Sequence, residues 1–138
     1  MPNAANVRSE GLYTAQEYTL QFGTNVLGHQ ALIHHLLPVL LSSSARVLLL
    51  SSAGHAAAPR GGVDYRSVVR DPADPNDPKN PVKGRYEVAK WAEYGQAKWG
   101  DIALARYLHA VYGPGSTLSS RRTGQGELLC FSMHPGEF

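Results

Sequence analysis

Two short apolar runs do most to restrict what this chain can fold into. Arg46-Val-Leu-Leu-Leu-Ser-Ser52 and Glu127-Leu-Leu-Cys-Phe-Ser-Met133 are each bounded by polar residues. Runs this short, without polar alternation, suit strands of a buried parallel sheet. Between them, Leu104, Leu108 and Val111 share one helical face, with Ile102 and Ala105 beside it. Gly113-Pro114-Gly115 then ends the helix. Strand, helix and strand at this spacing predict a right-handed parallel crossover, the unit of doubly wound α/β folds. Such folds bind ligands at the carboxyl ends of their strands. Here those ends carry Ser52 and His134-Pro135-Gly136.

The flanking segments fit the same plan. Thr14, with Glu17 three residues on, has the profile of a helix N-cap. A helix is expected from there to about Leu41, with Leu20, Leu27, Leu32, Ile33, Leu36 and Leu40 among its apolar positions. Pro38 is expected to bend the last turn. Residues 56–85 read as one long loop, because Pro59, Pro72, Pro75, Pro78 and Pro81 exclude regular structure. The second helix is expected from Tyr86 or Trp91 to Tyr112, and the 138 residues make a single domain.

Composition removes several classes of function. A net charge of +2, with Arg121-Arg122 the only adjacent basic pair, gives no footprint for nucleic acid. The most apolar run, Ala31 to Leu41, is too short for a membrane span, and the first residues lack a signal-peptide core. A lone cysteine, Cys130, permits no internal disulfide. A soluble, cytoplasmic protein is the expectation. The six histidines include no metal-binding pair of the His-Glu-x-x-His type, so no metal site is expected. They read as surface or packing residues, and Cys130 as a small buried apolar one.

The chemistry rests on Tyr94-Gly-Gln-Ala-Lys98. Four residues apart, a phenol and an ammonium share one helix face. A nearby cation favours the phenolate, so such a pair suits proton transfer to or from a substrate oxygen. Ser52, at a strand end, suits holding that oxygen by hydrogen bonding. Tyr86-Glu-Val-Ala-Lys90 has the same spacing. On one helix the two tyrosines point about 80° apart and cannot serve one substrate. Tyr94 is preferred, because small residues and the amphipathic stretch follow it. By spacing alone, a solvated helix face is the favoured reading of either pair.

Five segments in order resemble the short-chain dehydrogenase/reductase family. They are Asn3-Ala4-Ala5, Asn25-Val-Leu-Gly28, Val47-Leu-Leu-Leu-Ser-Ser52, Tyr94-Gly-Gln-Ala-Lys98 and His134-Pro135-Gly136. The resemblance covers nearly the whole chain. Leu20-Gln-Phe-Gly-Thr-Asn-Val-Leu-Gly-His29 is most similar to the retinol-dehydrogenase-like branch, which commonly prefers NADP(H). The resemblance implies a Rossmann-like domain, with this chain its C-terminal-side part, and hydride transfer between a nicotinamide and an alcohol/carbonyl pair. It implies Tyr94 as acid/base, Lys98 as its activator and ribose ligand, and Ser52 as holder of the substrate oxygen. Asn25 would anchor a water that links Lys98 to solvent. Asn3, Ala4, Pro135 and Gly136 would line the NADP or NAD cofactor, and the two long helices would pair copies in a homo-oligomer.

The chain departs from the family in several ways. No glycine-rich turn joins a strand to a helix; Thr123-Gly-Gln-Gly126 instead precedes a strand. Ala5 stands where glycine is expected, and the Pro/Asp-rich insert before Tyr94 is long and expected on the substrate side. Two other readings therefore stand beside the oxidoreductase: a truncated, inactive remnant, and a non-enzymatic interaction module. Two strands and two helices also cannot cover both faces of a parallel sheet, which predicts weak stability or association.

Overall fold

A computed structural model describes residues 4–7, 12–69, 86–116 and 126–136, with the side chains of 86–90 left out. Its elements run α1 (Leu20–Phe22), a π-helical turn (Gly23–Leu27), α2 (Gly28–Ser42), β1 (Arg46–Leu50), a 3-10 turn (Ala53–Ala57), α3 (Tyr86–Tyr112) and β2 (Leu129–Met133). β1 and β2 are parallel and adjacent, with Val47 opposite Cys130 and Leu50 opposite Met133. α3 connects them. The fold is thus α/β with the expected crossover.

Both long helices lie on one side of this sheet. Ile33 and Leu41 of α2, and Leu104, Ala105 and Leu108 of α3, cluster with Val47, Leu49, Leu128 and Cys130. Leu49 and Leu128 are completely buried. The strands therefore alternate. Val47, Leu49 and Cys130 face the helices, while Leu48 and Leu50 stand opposite Phe131 and Met133 on the other face. Phe131 is 48% exposed and Met133 42%, so that face is uncovered by the described residues. Two helices suffice for one face only.

The first helix begins later than the Thr14–Glu17 pattern suggests. Thr14 Oγ1 accepts from the backbone N–H of Gln16 at 3.2 Å and of Tyr18 at 3.3 Å. Glu17 takes the left-handed conformation, φ 63°, and Tyr13 bridges Thr19. Thr14 thus organises a tight turn, and the helix starts at Leu20. The local hydrogen bonds that a threonine hydroxyl offers serve a turn as readily as a cap. At the other end, α2 continues through Pro38 to Ser42.

The loop expected at 56–85 is more ordered at its start. Ala53–Ala57 form the 3-10 turn, and residues 58–69 fold back onto the helices. Thr19 N–H donates to the Val68 carbonyl at 2.9 Å, Tyr18 bridges Val69, and Val68 is buried beside Phe22, Val26 and Ala97. The successive Asp-Pro turns at 71–78 lie outside the described residues. No helix among the described residues is long and apolar enough to cross a membrane.

Cys130 occupies the core between the sheet and α3. Burial pushes its thiol up from 9.0 to about 11, because the thiolate is desolvated there. The thiol form thus stabilises the fold fully below pH 9, and that contribution is lost as pH rises through about 11. Urea melts from pH 8 to pH 11 should show a fall in stability at the upper end that Cys130→Ala lacks. The uncovered sheet face gives a second expectation. The isolated chain should self-associate in sedimentation velocity, and Phe131→Glu with Met133→Lys should reduce that association while leaving the far-ultraviolet spectrum unchanged.

Candidate active site

The carboxyl ends of both strands open at the same edge. Ser51 N–H donates to the Met133 carbonyl at 2.8 Å, so the ladder continues one step beyond β1. Ser52 follows, and on the neighbouring strand His134, Pro135 and Gly136 leave β2, all exposed. Gly136 adopts φ 96°, which glycine reaches without a side-chain clash.

The two serines at this edge divide the work. Ser51 is buried, and its Oγ donates to the Lys98 carbonyl at 2.8 Å, tying α3 to the strand. Ser52 is half-buried, and its Oγ accepts the N–H of Gly54 at 3.1 Å as the 3-10 turn begins. Its own proton and second lone pair are left for another group.

Tyr94 comes to Ser52 through Gly54. A Cβ on Gly54 would sit 2.8 Å from Tyr94 Cε1 and 3.4 Å from Ser52 Oγ. The missing side chain is therefore what lets the ring lie against Gly54, two residues after the serine. Next along α3, a Cβ on Gly95 would meet the Ala58 nitrogen at 2.6 Å and the Gly54 carbonyl oxygen at 2.8 Å. Two glycines bring the helix and the 3-10 turn into backbone contact beside the phenol. Trp91 packs edge-on to Tyr94, ring centres 6.0 Å apart.

Lys98 is only 3% exposed. Its ammonium donates to the Leu50 carbonyl and, at 3.1 Å, to Asp101 Oδ2. It also lies 6.0 Å from the centre of the Tyr94 ring. Lysine is thus beside the tyrosine, as the spacing implied, with two of its three protons spent on partners other than the phenol. Asp101 is wholly buried, and its second oxygen lies 3.4 Å from His29 Nδ1. His29 is itself buried, so it is no surface residue, and its role is polar rather than simple packing.

Asn25 sits in the π-helical turn and is completely buried. Its Oδ1 accepts the Asn6 N–H at 2.8 Å, and its Nδ2 donates to the Asn6 carbonyl at 3.0 Å. The amide clasps the backbone of the segment that begins Ala4-Ala5. The clasp uses one lone pair of Oδ1 and one N–H of Nδ2 and leaves one of each. A π-turn inserts one extra residue and recurs at functional positions. Here it lies against α3 at Gly100, where a Cβ would come within 2.8 Å of Val26 Cγ2. Ala4 is exposed; Asn3 lies outside the described residues, as do the side chains of Tyr86 and Lys90.

Four contributors were not singled out in the sequence. Gly54 and Gly95 give no signal beyond being small. Asp101 lies three residues after Lys98, a spacing at which an acid and a base meet on a helix. Gln96 lies between Tyr94 and Lys98. Its Oε1 accepts the Asp64 N–H at 2.7 Å, and its Nε2 donates to Ser67 Oγ at 3.1 Å, fixing the 58–69 segment to the helix.

With this geometry in hand, the similarities of the chain have a clear centre. It is 29% identical over 143 residues to a short-chain dehydrogenase/reductase, drtF, of Aspergillus calidoustus, covering 97% of this chain and 40% of the relative. It is 31% identical over 130 residues to a short-chain dehydrogenase/reductase of Armillaria gallica, covering 91% of this chain and 34% of the relative. A second such protein of Armillaria gallica matches at 29%. These names support an oxidoreductase. The chain spans about two fifths or less of the curated relatives' length. No family model matches the chain, and no solved structure matches it significantly.

Gly95→Ala should destabilise the fold by about 1–3 kcal/mol, the usual cost of overpacking, because its neighbours are backbone atoms that cannot swing aside. Gln96→Ala should cost about 0.5–1.5 kcal/mol, the net worth of a hydrogen bond, because Asp64 and Ser67 are exposed and can turn to water. Denaturant melts measure both; the Gln96 variant should also become sensitive to proteolysis within residues 58–69.

Proposed function

We propose that this chain is part of a short-chain dehydrogenase/reductase that interconverts an alcohol and a carbonyl with a nicotinamide cofactor, NADP(H) in preference to NAD(H). One observation carries the reading: where β1 ends, Ser52 and the Tyr94 ring both border Gly54, and the Lys98 ammonium lies 6.0 Å from the centre of that ring. The relatives' names support the same class of reaction. The sequence Leu20 to His29 favours the retinol-dehydrogenase-like branch.

The donor set fits the nicotinamide and ribose half of such a cofactor. Lys98 keeps one N–H beyond those given to Leu50 and Asp101. Tyr94 is half-buried beside it, and the Asn6 backbone is pinned by Asn25. Asn3, Pro135 and Gly136 complete the proposed lining. The glycine-rich turn that would cradle a pyrophosphate is not among these 138 residues.

When bound, the cofactor supplies or accepts the hydride. The protein's part is the proton. In carbonyl reduction, Tyr94 gives its phenolic proton to the developing alkoxide, while Ser52 donates a hydrogen bond to the same oxygen. The Lys98 ammonium, 6.0 Å from the ring centre, stabilises the phenolate that remains. Asn25, which clasps the Asn6 backbone, anchors a water that links Lys98 to solvent. Oxidation of the alcohol runs the same steps in reverse.

The test is a melt followed by kinetics. Saturating NADPH, at a hundredfold excess over Kd, should raise stability by about 2.7 kcal/mol, and NADH by less at the same concentration. Tyr94→Phe should keep the NADPH shift and lose turnover of aldehydes by on the order of a thousandfold or more, the scale of general acid catalysis. Unchanged turnover in that variant, or no shift with either nucleotide, refutes the assignment.

A further inference from the structure

We infer that Asp101 is a positioning residue for Lys98 and that His29 holds it in place; the inference rests on the reading above, in which Lys98 serves Tyr94. Asp101 has no exposed surface, and neither the Tyr-Lys spacing nor the four-residue catalytic set includes it. Its two oxygens face different helices. Oδ2 accepts from Lys98 Nζ at 3.1 Å, one turn back on α3, and Oδ1 lies 3.4 Å from His29 Nδ1 on α2. A buried carboxylate needs partners on both oxygens, and it has them.

The consequence for Lys98 is directional. A lysine ammonium rides on a flexible four-carbon stem and rotates freely unless its protons are engaged. With only the Leu50 carbonyl as partner, Nζ pivots about that one bond. With Asp101 as a second acceptor, two protons are fixed and the third has one direction left. Nζ then stays at its distance from the Tyr94 ring. His29 matters because a carboxylate held only by Lys98 would move with it; anchored to α2, it is a fixed point. Asp101→Asn keeps most of this arrangement without the charge, since its oxygen accepts from Lys98 and its amide N–H donates to His29 Nδ1 once the imidazole proton moves from Nδ1 to Nε2. Asp101→Leu preserves only the branched shape, in a somewhat larger side chain.

The experiment compares Asp101→Asn, Asp101→Leu, Lys98→Met and the double Lys98→Met/Asp101→Leu in the purified protein. Turnover is followed with NADPH and a panel of aliphatic and aromatic aldehydes, scaled to the folded fraction. Asp101→Leu should lower kcat on the order of 100-fold, the scale of an ångström's misplacement of a reacting group, with aldehyde KM little changed. Asp101→Asn should restore most of that loss. In melts, the double variant should be less destabilised than the two single variants together predict. An Asp101→Leu protein with wild-type kcat per folded molecule would make the pair purely structural and overturn the inference. So would additive losses of stability, whatever the activity. A wild-type protein inert with every aldehyde and unshifted by NADPH is the distinct failure of the functional reading, and the melts then still decide whether Asp101 holds Lys98.

Discussion

A buried ammonium is the constraint around which the centre of this molecule is arranged. Lys98 is nearly excluded from water, and an unpaired charge there would cost several kcal/mol. Its partners come from two directions: the carbonyl of Leu50 at the end of β1, and Asp101 on its own helix. Ser51 reaches back to the backbone of the same lysine. The helix is thereby indexed against the strand at the residue whose position matters most for chemistry. Once α3 is seated in this register, Tyr94 falls against Gly54 at the end of β1, and Ala97, Gly100, Leu104 and Leu108 meet α1, the π-turn and the sheet.

Small residues make that seating geometrically feasible. Gly54, Gly95 and Gly100 each stand where a Cβ would collide with a neighbouring element. All three occur within or opposite the first half of α3, where the polar residues lie. The second half, from Leu104, uses ordinary aliphatic packing. The helix thus has a close-approach end that holds charged and polar groups and an apolar end that supplies burial. The apolar end packs on the sheet, while the polar end is closed by a separate cluster of Phe22, Val26, Val68 and Ala97.

This division explains what was legible in the residues beforehand. Apolar runs and helical stripes have a period, so β1, β2 and α3 were readable to within two residues at most of their ends. Tyr94 and Lys98 share a helix, and Ser52 ends a strand; both are local patterns. The contacts that complete the site join distant segments. Asn25 clasps Asn6, His29 meets Asp101, and Gln96 binds Asp64 and Ser67. No spacing announces such pairs. Thr14 shows the converse, since its local pattern is sound for a cap, yet the backbone spends the same hydroxyl on a turn. The π-turn was equally invisible, and the contacts it makes, with α3 at Gly100 and with Asn6 through Asn25, again join distant segments.

The two faces of the sheet bear differently on function. The helix-covered face carries the lysine, the aspartate and the core, so disturbance there alters the candidate site directly. The opposite face presents Phe131 and Met133 with little cover, and their neighbours across the pair, Leu48 and Leu50, are half-buried. Leu50 links the two, since its side chain belongs to the open face while its carbonyl holds Lys98. Strain or solvent that shifts β1 at the open face therefore reaches the ammonium through one peptide group. A parallel strand buried on both sides has no such exposure. Whatever covers Leu48, Leu50, Phe131 and Met133 in the working protein also steadies the acceptor on which the lysine turns. Stability of the open face and geometry of the proton-transfer groups are for that reason a single physical problem in this chain.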